Sequence, residues 1–121
     1  MYEYRARVQR VIDGDTFDFD VDVGFYISLR MRVRLRGVNT PELRGDERER
    51  GLAAKEFVVE QLPVGSYALI RTAKIGKYGR YIADVRYLPG TPDASVEALQ
   101  ADGVDLAQAL LKRKLAAPID Y

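Results

Sequence analysis

Between residues 4 and 35 apolar and polar side chains alternate with a period of two, as in strands that bury one face. Phe17, Phe19, Val21 and Val23 alternate with Asp18, Asp20 and Asp22, and then Leu29, Met31, Val33 and Leu35 alternate with Arg30, Arg32, Arg34 and Arg36. Gly24-Phe25-Tyr26-Ile27-Ser28 stands between the two runs as a hairpin connection. Folded on each other, the runs make one apolar face and one face where an aspartate row lies opposite an arginine row, a favourable cross-strand arrangement. Two registers satisfy this pattern. In one, Asp18, Asp20 and Asp22 face Arg34, Arg32 and Arg30, and Arg34 is neutralised. In the other the aspartates slide by one pair, and Arg34 lies opposite Thr16 with its charge available.

The period changes further along. Residues 43–50 hold Arg44, Asp46, Glu47, Arg48, Glu49 and Arg50 and read as a solvated loop. Residues 51–62 have helical spacing, with Leu52, Ala54, Phe57, Val58 and Leu62 as the buried positions and Pro63 and Gly65 as the stop. Residues 66–74 and 80–88 read as a second hairpin around Gly76 and Gly79, and Pro89-Gly90-Thr91-Pro92-Asp93 as a turn. Residues 95–100 are expected to form one more short strand before a turn at Asp102-Gly103. Residues 104–116 are amphipathic, with Leu106, Leu110, Leu111 and Leu115 at helical spacing, basic residues near the end and Pro118 beyond. No internal repeat interrupts this order. Short strands followed by helices predict a small curled sheet or barrel with helices packed on it.

Composition narrows the chemistry. The chain of 121 residues has no histidine and no cysteine, so Ser-His-Asp and Cys-His nucleophile systems and Cys/His zinc sites are excluded. Acid-base work would fall to Asp, Glu, Lys, Tyr or a metal-bound water, and oxygen donors alone favour a hard cation such as calcium, magnesium or manganese. A length of 121 residues with 47% hydrophobic content fits one domain that buries roughly two-thirds of its unfolded surface. No apolar run reaches the roughly 18 residues of a membrane span, and Met1-Tyr2-Glu3-Tyr4-Arg5 lacks the apolar core of a secretory signal. The expectation is a cytoplasmic protein, or a secreted one if a leader was removed. Net charge is +1, from 19 basic and 18 acidic residues, so any phosphate binding must come from locally placed arginines.

Three separated segments carry the candidate chemistry: Asp13-Gly14-Asp15-Thr16, then Arg34 five residues before Asn39-Thr40-Pro41-Glu42, then Lys77-Tyr78-Gly79-Arg80. Each alone is ordinary turn chemistry. Their order, with a strand end at Arg34 and a helix before Lys77, resembles the staphylococcal nuclease-like (thermonuclease) family over residues 4–116. That resemblance implies a five-stranded OB-type barrel of the α+β class, mainly β, with two to three packed helices, in a single domain over residues 1–121. It implies a calcium-dependent phosphodiesterase acting on DNA and RNA, single strands preferred, with little sequence preference and cleavage of the P–O5′ bond.

Residue by residue, the resemblance implies that Asp15 is a carboxylate ligand of an active-site Ca2+, with Asn39 and the backbone carbonyl of Thr40 beside it. Glu42 is expected to orient or deprotonate the attacking water. Arg34 and Arg80 are expected to grip the scissile phosphate, and Lys77 and Tyr78 to contact a neighbouring one. Two guanidinium forks and a dication suit the charge that develops on a pentacoordinate phosphorus. The better-known members of the family carry Asp where this chain has Asn39. An amide oxygen still coordinates calcium, but the site loses one negative charge and metal affinity falls. This departure and the near-neutral net charge support the alternative, a catalytically weak or inactive barrel that binds nucleic acid or a protein. A monomer is the default oligomeric state, and the resemblance implies that the aromatic residues family members stack on a base or sugar are represented here by Tyr121 alone.

Overall fold

The hairpin of alternating aspartates and arginines is the start of a closed barrel. In the computed structural model, which describes residues 2–75 and 81–119, β1 (Tyr2–Asp13), β2 (Thr16–Asp22) and β3 (Ser28–Leu35) form an antiparallel meander. The observed register is the second of the two alignments: Thr16 lies opposite Arg34, Asp18 opposite Arg32 and Asp20 opposite Arg30. The charged face is built as the alternation requires. Arg32 Nε and Nη2 donate to the two Asp18 carboxylate oxygens at 2.9 and 3.2 Å, and Arg30 Nε donates to Asp20 at 2.8 Å. The opposite face supplies Phe17, Phe19, Val21, Val33 and Leu35 to the core.

A two-residue strand, β4 (Val38–Asn39), and a 3-10 turn at Gly45–Glu47 lead into α1 (Arg48–Gln61). β5 (Tyr67–Ile75) pairs with β1, and β6 (Tyr81–Tyr87) pairs with β5, both antiparallel. Closure comes from β3 and β6, which pair in parallel between residues 33–35 and 81–83 and complete a five-stranded mixed barrel of the OB type with three helices. β1 serves two neighbours along its length, β5 through residues 2–7 and β2 through residues 6–13, and register shifts after Val8 and Val11 give it the local bends a barrel needs. The core of Ala6, Val8, Phe17, Phe19, Val33, Leu35, Ala68, Ile70, Ala83 and Val85 extends outward to Val58 of α1 and to Leu62, which caps its C-terminus. It also reaches Leu106 and Leu110 of α3 (Leu106–Lys112).

Three boundaries differ from the sequence expectation. Residues 95–100 are not a strand: α2 (Val96–Asp102) occupies them, capped by the Ser95 hydroxyl oxygen, which accepts from Ala98 N–H at 3.1 Å, and seated through Leu99 on Leu69 and Ala94. An alternation of so few apolar positions cannot separate strand from helix, whereas the cap can. α1 begins three residues earlier than residue 51, inside the stretch expected to be loop. α3 is shorter than residues 104–116, because Val104 and Asp105 form β7 against Tyr87 and Arg86, and Lys114 leaves the helix with a φ of 59°. The remaining strand, β8 (Ala117–Pro118), pairs with β4. Among the described residues no helix is long and apolar enough to cross a membrane.

Candidate functional site

The turn between β1 and β2 is made by Asp13, whose carboxylate accepts the backbone N–H of Asp15 at 3.0 Å, the side-chain-to-backbone bond that favours Asp in turns. Its central residue is glycine because of its neighbours. A methyl group on Gly14 would stand 2.7 Å from Thr40 Cγ2 and 2.9 Å from the Ala54 side chain, so the Thr40 loop and α1 close directly on the turn. Gly51, in the first turns of α1, plays the matching part on the other side of the loop: a methyl there would overlap the Glu42 carbonyl oxygen and lie 2.8 Å from the Pro41 carbonyl oxygen. Residues 39–42 are therefore clamped between the turn and the helix. Their upstream end is held by β4 and β8, with Asn39 opposite Ala117, and by the Ile119 N–H donating to Gly37 O at 3.0 Å.

This clamp brings Asp15, Arg34, Asn39 and Thr40 together. Asp15 is buried; its Oδ2 accepts the Thr40 backbone N–H at 2.8 Å and its Oδ1 accepts the Thr16 hydroxyl at 3.1 Å. Arg34 forms an ion pair with Asp15 through Nη1, and its Nη2 donates to Asn39 Oδ1 at 2.8 Å. Both partners of the ion pair are shielded, with side chains 11% and 5% exposed, so this contact is much stronger than the outer Asp-Arg pairs. Arg34 thus lies opposite Thr16 in the register, but its charge is directed inward to Asp15 and Asn39. The alternation left two strand partners open for Arg34, Asp18 and Thr16, and had no means to identify this inward one.

The two carboxyls of the turn titrate in opposite directions. Burial, together with the hydrogen bond and charge of Asp15, pushes Asp13 up to about 6. Burial also pushes Asp15 upward, but hydrogen bonds from Asp13, Arg34 and the Thr40 N–H overcome it and hold Asp15 below the usual carboxylate range. Below about pH 6 the proton of the pair therefore resides on Asp13, with the negative charge on Asp15 beside Arg34.

Glu42 stands apart. It is exposed, its backbone N–H donates to Glu47 Oε2 at 3.3 Å, and its carboxylate makes no hydrogen bond or ion pair among the described residues. Lys77, Tyr78 and Arg80, and also Tyr121, lie outside the described residues. Sequence reading gave Gly51 no role. Gly51 was the first residue of the expected helix, and only the earlier start of α1 at Arg48 places this glycine inside it, where it marks a close approach.

The donor types suit a hard cation: a charged buried carboxylate, an amide oxygen and the backbone of Thr40. Asp15 and Asn39 direct their oxygens at one guanidinium, and no group of three or more acidic side chains converges among the described residues. A dication fits this set in kind. To bind, it would have to take over oxygens that Arg34 now occupies. No protein-family model and no curated protein matches this chain.

Proposed function

We propose that the protein is a hard-cation-dependent phosphodiesterase of the staphylococcal nuclease-like kind, hydrolysing single-stranded DNA and RNA with little sequence preference. The observation that carries this reading is the meeting of Asp15 from the β1–β2 turn, Arg34 from β3 and Asn39 and Thr40 from the loop that follows, in one clamped and partly buried place. A scaffold has no need of a buried carboxylate, a shielded guanidinium and an amide oxygen converging there.

In this reading Asp15, Asn39 and the Thr40 carbonyl hold Ca2+, which when bound supplies positive charge to the phosphate oxygens and the attacking water. With Asp15 so engaged, the Arg34 fork turns to the phosphodiester and stabilises charge on its non-bridging oxygens, joined by Arg80. Glu42, exposed and with a carboxylate that makes no hydrogen bond or ion pair among the described residues, takes the proton of the attacking water. The water oxygen bonds to phosphorus, the P–O5′ bond breaks, and the departing O5′ takes a proton from solvent. Lys77 and Tyr78 belong to the neighbouring phosphate.

The test is a fluorogenic single-stranded oligonucleotide incubated with purified protein in millimolar calcium and again after chelation. Cleavage that stops on chelation is expected; folded protein that leaves the oligonucleotide intact in calcium overturns the reading. The alternative of a catalytically silent nucleic-acid- or protein-binding barrel has its own observation, the engagement of Arg34 by Asp15 and Asn39. In that case no divalent ion supports cleavage, and oligonucleotide binding persists for a nucleic-acid-binding barrel and is absent for a protein-binding one.

A further inference from the structure

A cleft of about 380 Å³ lies directly beside this site and shares its wall, since Asn39 and Thr40 line both. Pro41 and Ala53 of the loop and α1 form one side, and the chain that leaves α3, from Lys114 through Leu115 to Ala117, forms the other. Small side chains at Ala53, Ala116 and Ala117 leave it open. Its charged groups are Arg50, Lys114 and Glu47. Glu47 accepts from Arg50 Nη2 at 3.4 Å, an exposed and therefore weak pair, and Lys114 makes no ion pair among the described residues. The local balance is one positive charge, beside an Arg34 whose own charge is matched by Asp15.

The backbone at Lys114 adds to this. Its φ of 59° is left-handed, the conformation in which a helix commonly ends on glycine because a side chain is strained there. Here that position carries an ammonium group, and the cleft is what it lines.

We propose that this cleft seats the nucleotide adjacent to the scissile phosphate, with Arg50 and Lys114 on its phosphodiester and the apolar surface of Pro41, Leu115 and Ala116 against its sugar or base. The inference rests on the phosphodiesterase reading and extends it to the path of the strand. Asn39 and Thr40 are the common wall, so a strand whose phosphate reaches Arg34 places a neighbouring unit here without a detour. An anion entering the cleft exchanges the weak Glu47–Arg50 pair for a direct contact and meets Lys114 from the other side.

The experiment uses the full chain and a dye-labelled single-stranded oligodeoxythymidylate. Fluorescence anisotropy in chelator measures binding over a range of salt concentrations, and cleavage in calcium gives kcat and KM. Lys114→Gly is the principal variant because it relieves the left-handed backbone and so keeps or raises the melting temperature; Arg50→Gln is the second. Each is expected to weaken binding by about threefold to tenfold, to lower the slope of log affinity against log salt by about 0.7, and to raise KM with kcat unchanged. If the wild type cleaves and both variants retain its affinity, salt slope and KM, this inference fails and the parent reading stands. If the wild type neither binds nor cleaves, both fall. Inorganic phosphate that displaces the oligonucleotide from the wild type at matched ionic strength, but not from Lys114→Gly, would mark a site for the free ion and overturn the nucleotide assignment.

Discussion

Replacing Gly51 with alanine sets two effects of opposite sign against each other. Glycine in a helix is less favourable than alanine by up to about 1 kcal/mol, so propensity alone makes Gly51→Ala stabilising. The structure reverses this. The added methyl overlaps the Glu42 carbonyl oxygen and stands 2.8 Å from both the Glu42 carbonyl carbon and the Pro41 carbonyl oxygen. Overpacking of this kind costs about 1–3 kcal/mol, and the upper part of that range applies because backbone cannot rotate away as a side-chain tip can. The net is a destabilisation of about 2 kcal/mol, or a melting temperature lower by about 8 °C in a domain of this size. Thermal and urea melts of the wild type and Gly51→Ala measure it, with Ala53→Gly on the exposed face of the same helix calibrating the propensity effect. A Gly51→Ala protein that melts at or above the wild type would show that α1 does not press on residues 41–42, and the account of how the loop is held would be wrong.

The remaining predictions concern the site. Arg34→Ala leaves the buried Asp15 carboxylate without its guanidinium and destabilises the calcium-free protein by about 3–5 kcal/mol. Calcium should raise the melting temperature of that variant more than the wild type's, and equal shifts would show that the ion and Arg34 do not compete for Asp15. Glu42→Ala should lower turnover by about 10²–10⁴-fold while leaving the melting temperature unchanged, since the side chain is exposed; an unchanged rate removes Glu42 from the mechanism. Asp13 supplies a pH signature in chelator. Its folded value of about 6 lies above the ordinary 3.8, so the folded state holds a proton that the unfolded chain has released between those values. The contribution of this group is favourable below pH 3.8 and is lost as pH rises through about 6. The melting temperature of Asp13→Asn should therefore gain on the wild type across that interval, and a constant gap between the two proteins would refute it.

Much of the barrel was legible because a half-buried strand writes its faces into alternate residues. Phe17, Phe19 and Val21 face inward and Asp18 and Asp20 outward, as the alternation requires. The helix over residues 51–62 was legible from Ala54, Val58 and Leu62, all buried. Residues 95–100 misled because they bury one large side chain, Leu99, and a single anchor has no period. The end of α3 was illegible for a different reason. Lys114 adopts a backbone conformation that glycine favours, so the usual punctuation is absent.

The site divides along the same line. Asp15, Arg34, Asn39 and Thr40 were singled out by their residue types and order, and the fold does bring them into contact. What the order could not convey is which oxygen meets which cation. Arg34 has Asp18 and Thr16 within its reach on a neighbouring strand in one register or the other, and its inward partner is decided by how the Thr40 loop seats against Gly14 and Gly51. By itself, then, the chain's pattern determined the strands of the first hairpin and their inward faces, since these follow from local alternation, while the candidate polar residues came from the order of motifs that carries the family resemblance. The parallel closure of β3 on β6, the pairing of Asn39 with Ala117, the pairing of Asp15 with Arg34 and the cleft beside them were decided only in three dimensions. Each joins residues distant along the chain through packing, and packing leaves no periodic mark on the sequence.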